Sequence, residues 1–415
     1  MKLQFPAGFL WGAATSSHQV EGGTKNNWTQ WEKDNAERLA EEAKKKWQPW
    51  QQEKFPEMFR KENYISGQAC DHYNRYEGDF DLAKEGGQNA HRFSIEWSRI
   101  EPEEGKFDQN EIEHYRKVLT ALRQRGIEPF VTLWHWTEPI WFAEKGGWTN
   151  KESVEYFSRF VGKVVGECKD LVKFWIVVNE PNVGLGFGYM LGSQPPAKKC
   201  PFKFLRAYFN LLDAYKKSYK IIHEIDDKAK VGFAHSFYLY KADIWKPING
   251  IISSIVTYFS NYFAKKTEGF KDFIGCNYYQ EILISLKKKN VADSDKTDLG
   301  WNIYPEGIYD VMMGLKKCNL PIYITENGLA DSKDEKREKF INDHLHHIHR
   351  AIQDGVDVRG YFHWSLLDNF EFPEVRGFWP RFGLIEVDFK TLERKPRKSF
   401  YAYAETCKNN GIDVE

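Results

Sequence analysis

Apolar residues along this chain gather into eight short runs, each bounded by turn-forming or charged positions: Phe9–Ala14, Ala90–Ile95, Ile127–Leu133, Val172–Val178, Val231–Ala234, Phe273–Asn277, Ile322–Thr325 and Val358–Trp364. Runs of this length and bounding suit strands buried on both faces. Between them lie longer, charge-rich segments with helical period: Asn110–Arg125, Lys151–Cys168, Phe202–Glu224, Glu306–Lys317 and Lys336–Asp354. Gly126 and Gly355 stand just ahead of the next run, where helix C-termini prefer glycine. Buried strands alternating with helices predict a parallel sheet, and eight repeats predict its closure, so the fold class is α/β, a single-domain (β/α)8 TIM barrel.

No Pro/Gly/Ser linker divides the chain and no short-period repeat marks a solenoid. One catalytic domain over residues 1–415 therefore accounts for the length, with an insertion after the first strand at about 34–63. That segment is rich in Lys and Glu, carries several aromatics, and reads as a surface helix or part of a cleft wall. The run Lys287–Lys289 and the acidic stretch from Asp293 to Asp298 read as a solvated loop after strand six.

Composition narrows the partners. Hydrophobic residues are 41% and charged residues 28% of the 415, an ordinary globular balance. Fifty-nine basic against 59 acidic residues give no overall basic field, which argues against nucleic acid and against a membrane as partners. The N-terminus lacks the basic-then-apolar build of a secretion signal, and no apolar stretch approaches the ~18 residues of a membrane helix, so a cytoplasmic location is expected. Six scattered cysteines without a Cys-x-x-Cys pair fit reduced thiols rather than a disulfide framework or zinc site. The unusual quantity is the aromatic fraction, 16%, including 15 Trp. Flat rings with a polar edge suit ligands that are part apolar and part hydroxylated, although core packing also uses them.

In a parallel barrel, chemistry gathers at the C-terminal ends of the strands. Those ends are polar here. The first run leads to Gln19 and Glu21; the second contains Arg92; the third ends in Trp134, His135 and Trp136; the fourth in Asn179 and Glu180. The sixth ends in Asn277, Tyr278 and Tyr279, the seventh in Glu326, and the eighth in Trp364, with Asp368, Asn369 and Glu371 following. Glu180 and Glu326, on strands four and seven, sit on roughly opposite walls and could flank one bond, as glycoside hydrolysis requires. One carboxyl would protonate the leaving oxygen. The other would attack the anomeric carbon in a retaining reaction or activate water in an inverting one. Arg92 and Tyr279 could hold an ionised nucleophile. Asn179, Gln19, His135 and Glu371 offer donors and acceptors for sugar hydroxyls, and Trp136 and Trp364 offer flat faces. Trp11 and Trp97, within strand motifs, read as packing.

At these residues the chain resembles glycoside hydrolase family 1, the β-glucosidase and β-galactosidase family. The resemblance runs through Phe9–Gly22, His91–Ile100, Thr132–Pro139, Val178–Pro181, Asn277–Tyr279, Ile324–Gly328 and Trp364–Glu371, in order along the chain. It implies that Glu180 is the acid/base and Glu326 the nucleophile of a retaining exo-β-glycosidase. It further implies that Gln19, His135, Trp136, Asn179, Trp364, Glu371 and Phe372 hold the terminal sugar, and that Arg92, Asn277 and Tyr279 orient and charge-tune Glu326. The expected substrates are small β-glycosides or short oligosaccharides with a terminal β-D-glucosyl residue, β-D-galactosyl or β-D-fucosyl being the alternatives. No metal or organic cofactor is implied.

Three departures from the family pattern stand out. Phe372 replaces the usual Trp and loses an indole N–H. The stretch ahead of Asn277 is shorter, which bears on the aglycone side. Glu371 and Phe382 replace two features of members that act on 6-phosphorylated sugars, arguing against phosphate recognition. His344, His346, His347 and His349 invite a metal reading, set against a packed or solvated helix. Two rival functions are a transglycosylating enzyme of the same mechanism and a non-catalytic carbohydrate-binding barrel.

Overall fold

A computed structural model describes residues 2–242, 257, 261–284, 296–372 and 376–413. The basic run 287–289 lies outside them, as does part of the stretch expected to be short before Asn277. Eight parallel strands close a barrel: β1 (Leu10–Ala14), β2 (Ala90–Ser94), β3 (Glu128–Trp134), β4 (Phe174–Asn179), β5 (Lys230–Ser236), β6 (Phe273–Asn277), β7 (Ile322–Asn327) and β8 (Val358–Trp364). Each pairs with its sequence neighbours, and β8 closes on β1 through Gly360 opposite Leu10 and Trp364 opposite Ala14. The five expected helices are present as Gln109–Gln124, Ser153–Cys168, Pro201–Ile225, Glu306–Leu315 and Arg337–Gln353. Gly126 and Gly355 adopt φ +68° and +84°, the left-handed conformation that ends a helix at little steric cost to glycine.

Strand alternation sorts the side chains. On β2, Phe93 packs outward against the helices, whereas Ala90 faces the barrel interior. Arg92 shares the inner parity and is fully buried there. The barrel floor is a ring cluster of Phe130, Phe174, Phe273, Tyr323 and Phe362, with Phe130 and Phe174 stacked at 4.1 Å. This plug fills the N-terminal end, beneath the polar groups of the C-terminal strand ends. It also accounts for part of the aromatic excess. Trp97 accounts for more, buried among Phe142, Phe157 and Phe160, and Trp11 packs on Phe5 and Phe9, as expected of both.

The segment after β1 forms a cap over the same end as the polar groups. Helix Asn27–Lys46 begins with a reciprocal cap, in which Asn26 Oδ1 accepts from the Thr29 amide at 2.9 Å and Thr29 Oγ1 accepts from the Asn26 amide at 2.8 Å. Buried Glu32 ties it to the barrel through His18 Nε2 at 2.7 Å. Farther on, Phe55 and Trp47 pack on Trp379, Lys54 pairs with Asp298 at 2.6 Å, and Asn63 bonds the main chain at Arg376 and Phe378. Residues 34–63 thus pack against the loops beyond the strand ends, and none of them lines the cleft. Among the described residues, no helix is long and apolar enough to cross a membrane.

Candidate active site

The C-terminal strand ends surround a cleft that opens to solvent. Gln19, His135, Trp136, Asn179, Glu180, Tyr279, Glu326, Trp364 and Glu371 line it, together with Trp301, Arg376, Phe382, Val183, Phe187, Tyr238 and Gln280. Glu180 follows β4 in the left-handed region at φ +42°, and Trp136 after β3 is there too, at φ +75°. Such backbone is unfavourable for residues with a side chain and concentrates at functional sites. Gly328 permits the tight junction beyond Glu326, since a Cβ there would lie 1.8 Å from the Trp364 carbonyl oxygen.

The two central carboxyls have unlike surroundings. Glu326 Oε1 accepts from Arg92 Nη1 at 2.5 Å and its Oε2 from the Tyr279 hydroxyl at 2.6 Å. A guanidinium and a phenol together complement negative charge. Arg92 is itself fixed, donating through Nη2 to Asn179 Oδ1 at 2.7 Å and through Nε to Thr132 Oγ1 at 3.1 Å. Glu180 instead meets neutral donors, Asn277 Nδ2 at 2.9 Å and the Ser236 hydroxyl. Burial, then the nearby Glu326 charge, push its pKa up to about 8, so it is protonated at neutral pH. One cleft thus holds an acid and a carboxylate.

Asn277 departs from expectation. Its Oδ1 accepts from Thr325 Oγ1 at 2.6 Å, which turns Nδ2 toward β4, so it serves Glu180 and Asn179 rather than Glu326. Phe372 departs as well. It does not line the cleft but is fully buried, its ring 4.7 Å from Trp28 and 5.1 Å from Trp136. Its effect on a sugar would pass through Trp136 and His135 rather than through a direct contact.

The remaining groups divide by what they leave open. Trp136 Nε1 donates to the Asn179 carbonyl at 3.0 Å, so its ring presents a face and not a donor. Gln19 gives both amide hydrogens to the protein, at Asn369 Oδ1 and the Phe370 carbonyl, and leaves acceptor capacity at Oε1. His135 is kept neutral by burial and by Arg92, accepts or shares a bond with Asn179 Nδ2 at 3.2 Å, and has Nδ1 buried without a protein partner. Glu371 Oε1 accepts from Trp364 Nε1 at 3.1 Å, and burial raises the Glu371 pKa to about 7. Such an array, two indole faces ringed by carboxyl, amide and imidazole, fits a hydroxylated ring.

Trp301 and Arg376 were not among the residues singled out from sequence, and Phe382 entered there only as a residue arguing against phosphate recognition. Arg376 lies over the Trp301 ring at 4.7 Å and lowers the Glu371 pKa by its charge. They sit in loops without periodicity; the available signal was an aromatic or arginine in a Gly/Pro-rich loop just beyond a strand end. The histidine-rich helix packs instead of gathering ligands: the buried His344 ring lies 3.9 Å from Phe340 and its Nδ1 bonds the Phe340 carbonyl. Among the described residues, no three His, Cys, Asp or Glu side chains are grouped to hold a metal.

The chain is similar to known proteins in sequence and in fold. The sequence pattern of glycosyl hydrolase family 1 matches residues 1–244 and 248–412. A 1,4-β-D-glucan glucohydrolase of Thermotoga neapolitana is 33% identical over 99% of this chain and 99% of its own. A β-glycosidase from Pyrococcus horikoshii superposes with a TM-score of 0.88 at 36% identity, covering 100% of this chain and 97% of its own. A β-glucosidase from Thermotoga maritima in complex with glucoimidazole superposes with a TM-score of 0.85 at 31% identity, over 99% and 100% of the two chains.

Proposed function

The chain belongs to glycosyl hydrolase family 1, and from that premise we propose that it is a retaining, exo-acting β-glucosidase that removes terminal β-D-glucosyl residues from small glycosides. The observation that carries the reading is the asymmetry of the two carboxyls, Glu180 protonated beside a neutral amide and Glu326 held between Arg92 and Tyr279. In the first step Glu326 attacks the anomeric carbon while Glu180 gives its proton to the departing oxygen, and a glycosyl ester on Glu326 results. Forming that ester removes the Glu326 charge. Since that charge helps raise the Glu180 pKa, its loss lowers that pKa and leaves Glu180, now without its proton, ionised and able to take a proton from the incoming water, which restores Glu326 and releases the sugar with its configuration kept.

Trp136 and Trp364 would bracket the sugar, Glu371 and Gln19 would accept from hydroxyls far from the reacting carbon, and His135 Nδ1 and Asn179 would reach those near it. Occupants such as the glucoimidazole in the T. maritima relative support a glucose-shaped subsite. A 2-deoxy-2-fluoro-β-glucoside with a good leaving group tests the reading: it should stall as an ester, and digestion with mass spectrometry should find the added sugar on the peptide carrying Glu326. A label elsewhere, or none with full turnover, would reject the double displacement.

A further inference from the structure

One face of helix Pro201–Ile225 is left uncovered where the helix begins. Phe202, Leu205 and Phe209 recur at helical spacing on that face and are all exposed, Phe202 at 83%. Met190 and Leu191, at the end of the π-helical turn Gly186–Leu191, are exposed too. The main chain brings the two groups together, since Lys198 N donates to the Gly188 carbonyl at 2.9 Å and Cys200 N to the Tyr189 carbonyl at 2.7 Å. Single exposed apolar residues are ordinary, but a cluster of five large ones calls for an occupant.

Charge selects the occupant. Residues 181–212 contain no Asp or Glu but four bases, Lys198, Lys199, Lys203 and Arg206, all exposed. The zero net charge of the whole chain conceals this concentration. We propose that this surface docks on an anionic lipid bilayer, with the five apolar side chains entering the acyl boundary and the four bases meeting headgroup phosphates. A second copy fits less well, because a two-fold interface would set the same bases against themselves. The same stretch supplies Val183 and Phe187 to the cleft. Docking therefore brings the cleft mouth to the bilayer, where it meets glycosides with an alkyl or acyl aglycone. That last consequence rests on the β-glucosidase reading; docking does not.

Flotation of the full chain with vesicles tests it. The protein should float with phosphatidylglycerol/phosphatidylcholine vesicles, should not float with phosphatidylcholine alone, and should be released by high salt. Joint Phe202→Ser, Leu205→Ser and Phe209→Ser substitution should weaken apparent affinity about tenfold or more. Joint Lys198→Gln, Lys199→Gln, Lys203→Gln and Arg206→Gln substitution should remove the preference for anionic lipid. Both variants should hydrolyse a soluble chromogenic glucoside normally, which also controls for folding. Absence of flotation, or flotation unchanged by both variants, overturns the proposal. A lipid-free dimer that the apolar variant dissociates would give the face to a second copy and overturn it likewise. An octyl β-glucoside carried in the vesicles separates the two readings: flotation without its hydrolysis rejects substrate presentation alone, and failure on the soluble glucoside rejects the enzymatic reading.

Discussion

The Asn277 amide donates to the Glu180 carboxyl at 2.9 Å. Two residues farther along the same chain end, Tyr279 donates to Glu326 at 2.6 Å. One strand end thus supports both carboxyls, one with a neutral donor and the other with a phenol beside a guanidinium. Both acids are buried, and they differ in the partners that hold them.

Asn277→Ala removes a donor that favours the ionised form of Glu180. The Glu180 pKa should rise above about 8, and the basic limb of kcat/KM should move to higher pH than in the wild type. Positioning is lost as well, so kcat for a poor leaving group should fall about ten- to hundredfold, the equivalent of one hydrogen bond to a charged group. A pH–rate profile that keeps its basic limb in place would assign Asn277 to Glu326 after all.

Glu326→Gln should abolish turnover and, by removing the neighbouring charge, lower the Glu180 pKa from about 8. Carbon-13 NMR of labelled glutamate reads that titration directly. Glu180→Gln should instead spare reaction with activated aryl glucosides and nearly eliminate it with alkyl ones. Near-normal hydrolysis by Glu326→Gln is the result that defeats the assignment.

How much of this was legible beforehand follows from physics local to each residue. All eight strands were visible because β4 or β7, buried on both faces, must be a nearly unbroken apolar run. Glu180 and Glu326 were visible because the barrel assigns chemistry to strand ends. The partner of Asn277 was not visible, since it depends on Thr325 taking its oxygen. The depth of Phe372 was hidden for a similar reason: Trp28, which covers it, belongs to a helix more than 300 residues away in sequence. Arg376 could not be placed at all without the loop that lays it over Trp301.

Glu371 should make sugar binding depend on pH. Its pKa is raised to about 7 by burial, so the ionised acceptor predominates above that value and fades below it. KM for a β-glucoside should therefore rise as pH falls from 8 to 6. Glu371→Gln should raise KM about ten- to hundredfold and flatten that dependence. A wild-type KM that stays level across the range, with Glu371→Gln level at the same value, would remove Glu371 from the binding set.

Glu138 tests burial without catalysis. Its carboxyl is raised to about 8 by desolvation alone, at the end of β3 where its backbone bonds the start of the capping helix at Asn27. Because the folded pKa lies above the unfolded value near 4.5, the native state holds an extra proton between the two. The stability tied to that proton is complete below about pH 4.5, declines as pH rises, and is gone beyond about pH 8. Glu138→Gln has no such proton to lose. Its unfolding free energy should therefore gain on that of the wild type steadily from pH 5 to pH 8, by roughly a few kcal/mol, and then run parallel above. Urea unfolding at three pH values measures the gap, and a constant difference across them would show that Glu138 titrates as an ordinary solvated carboxylate.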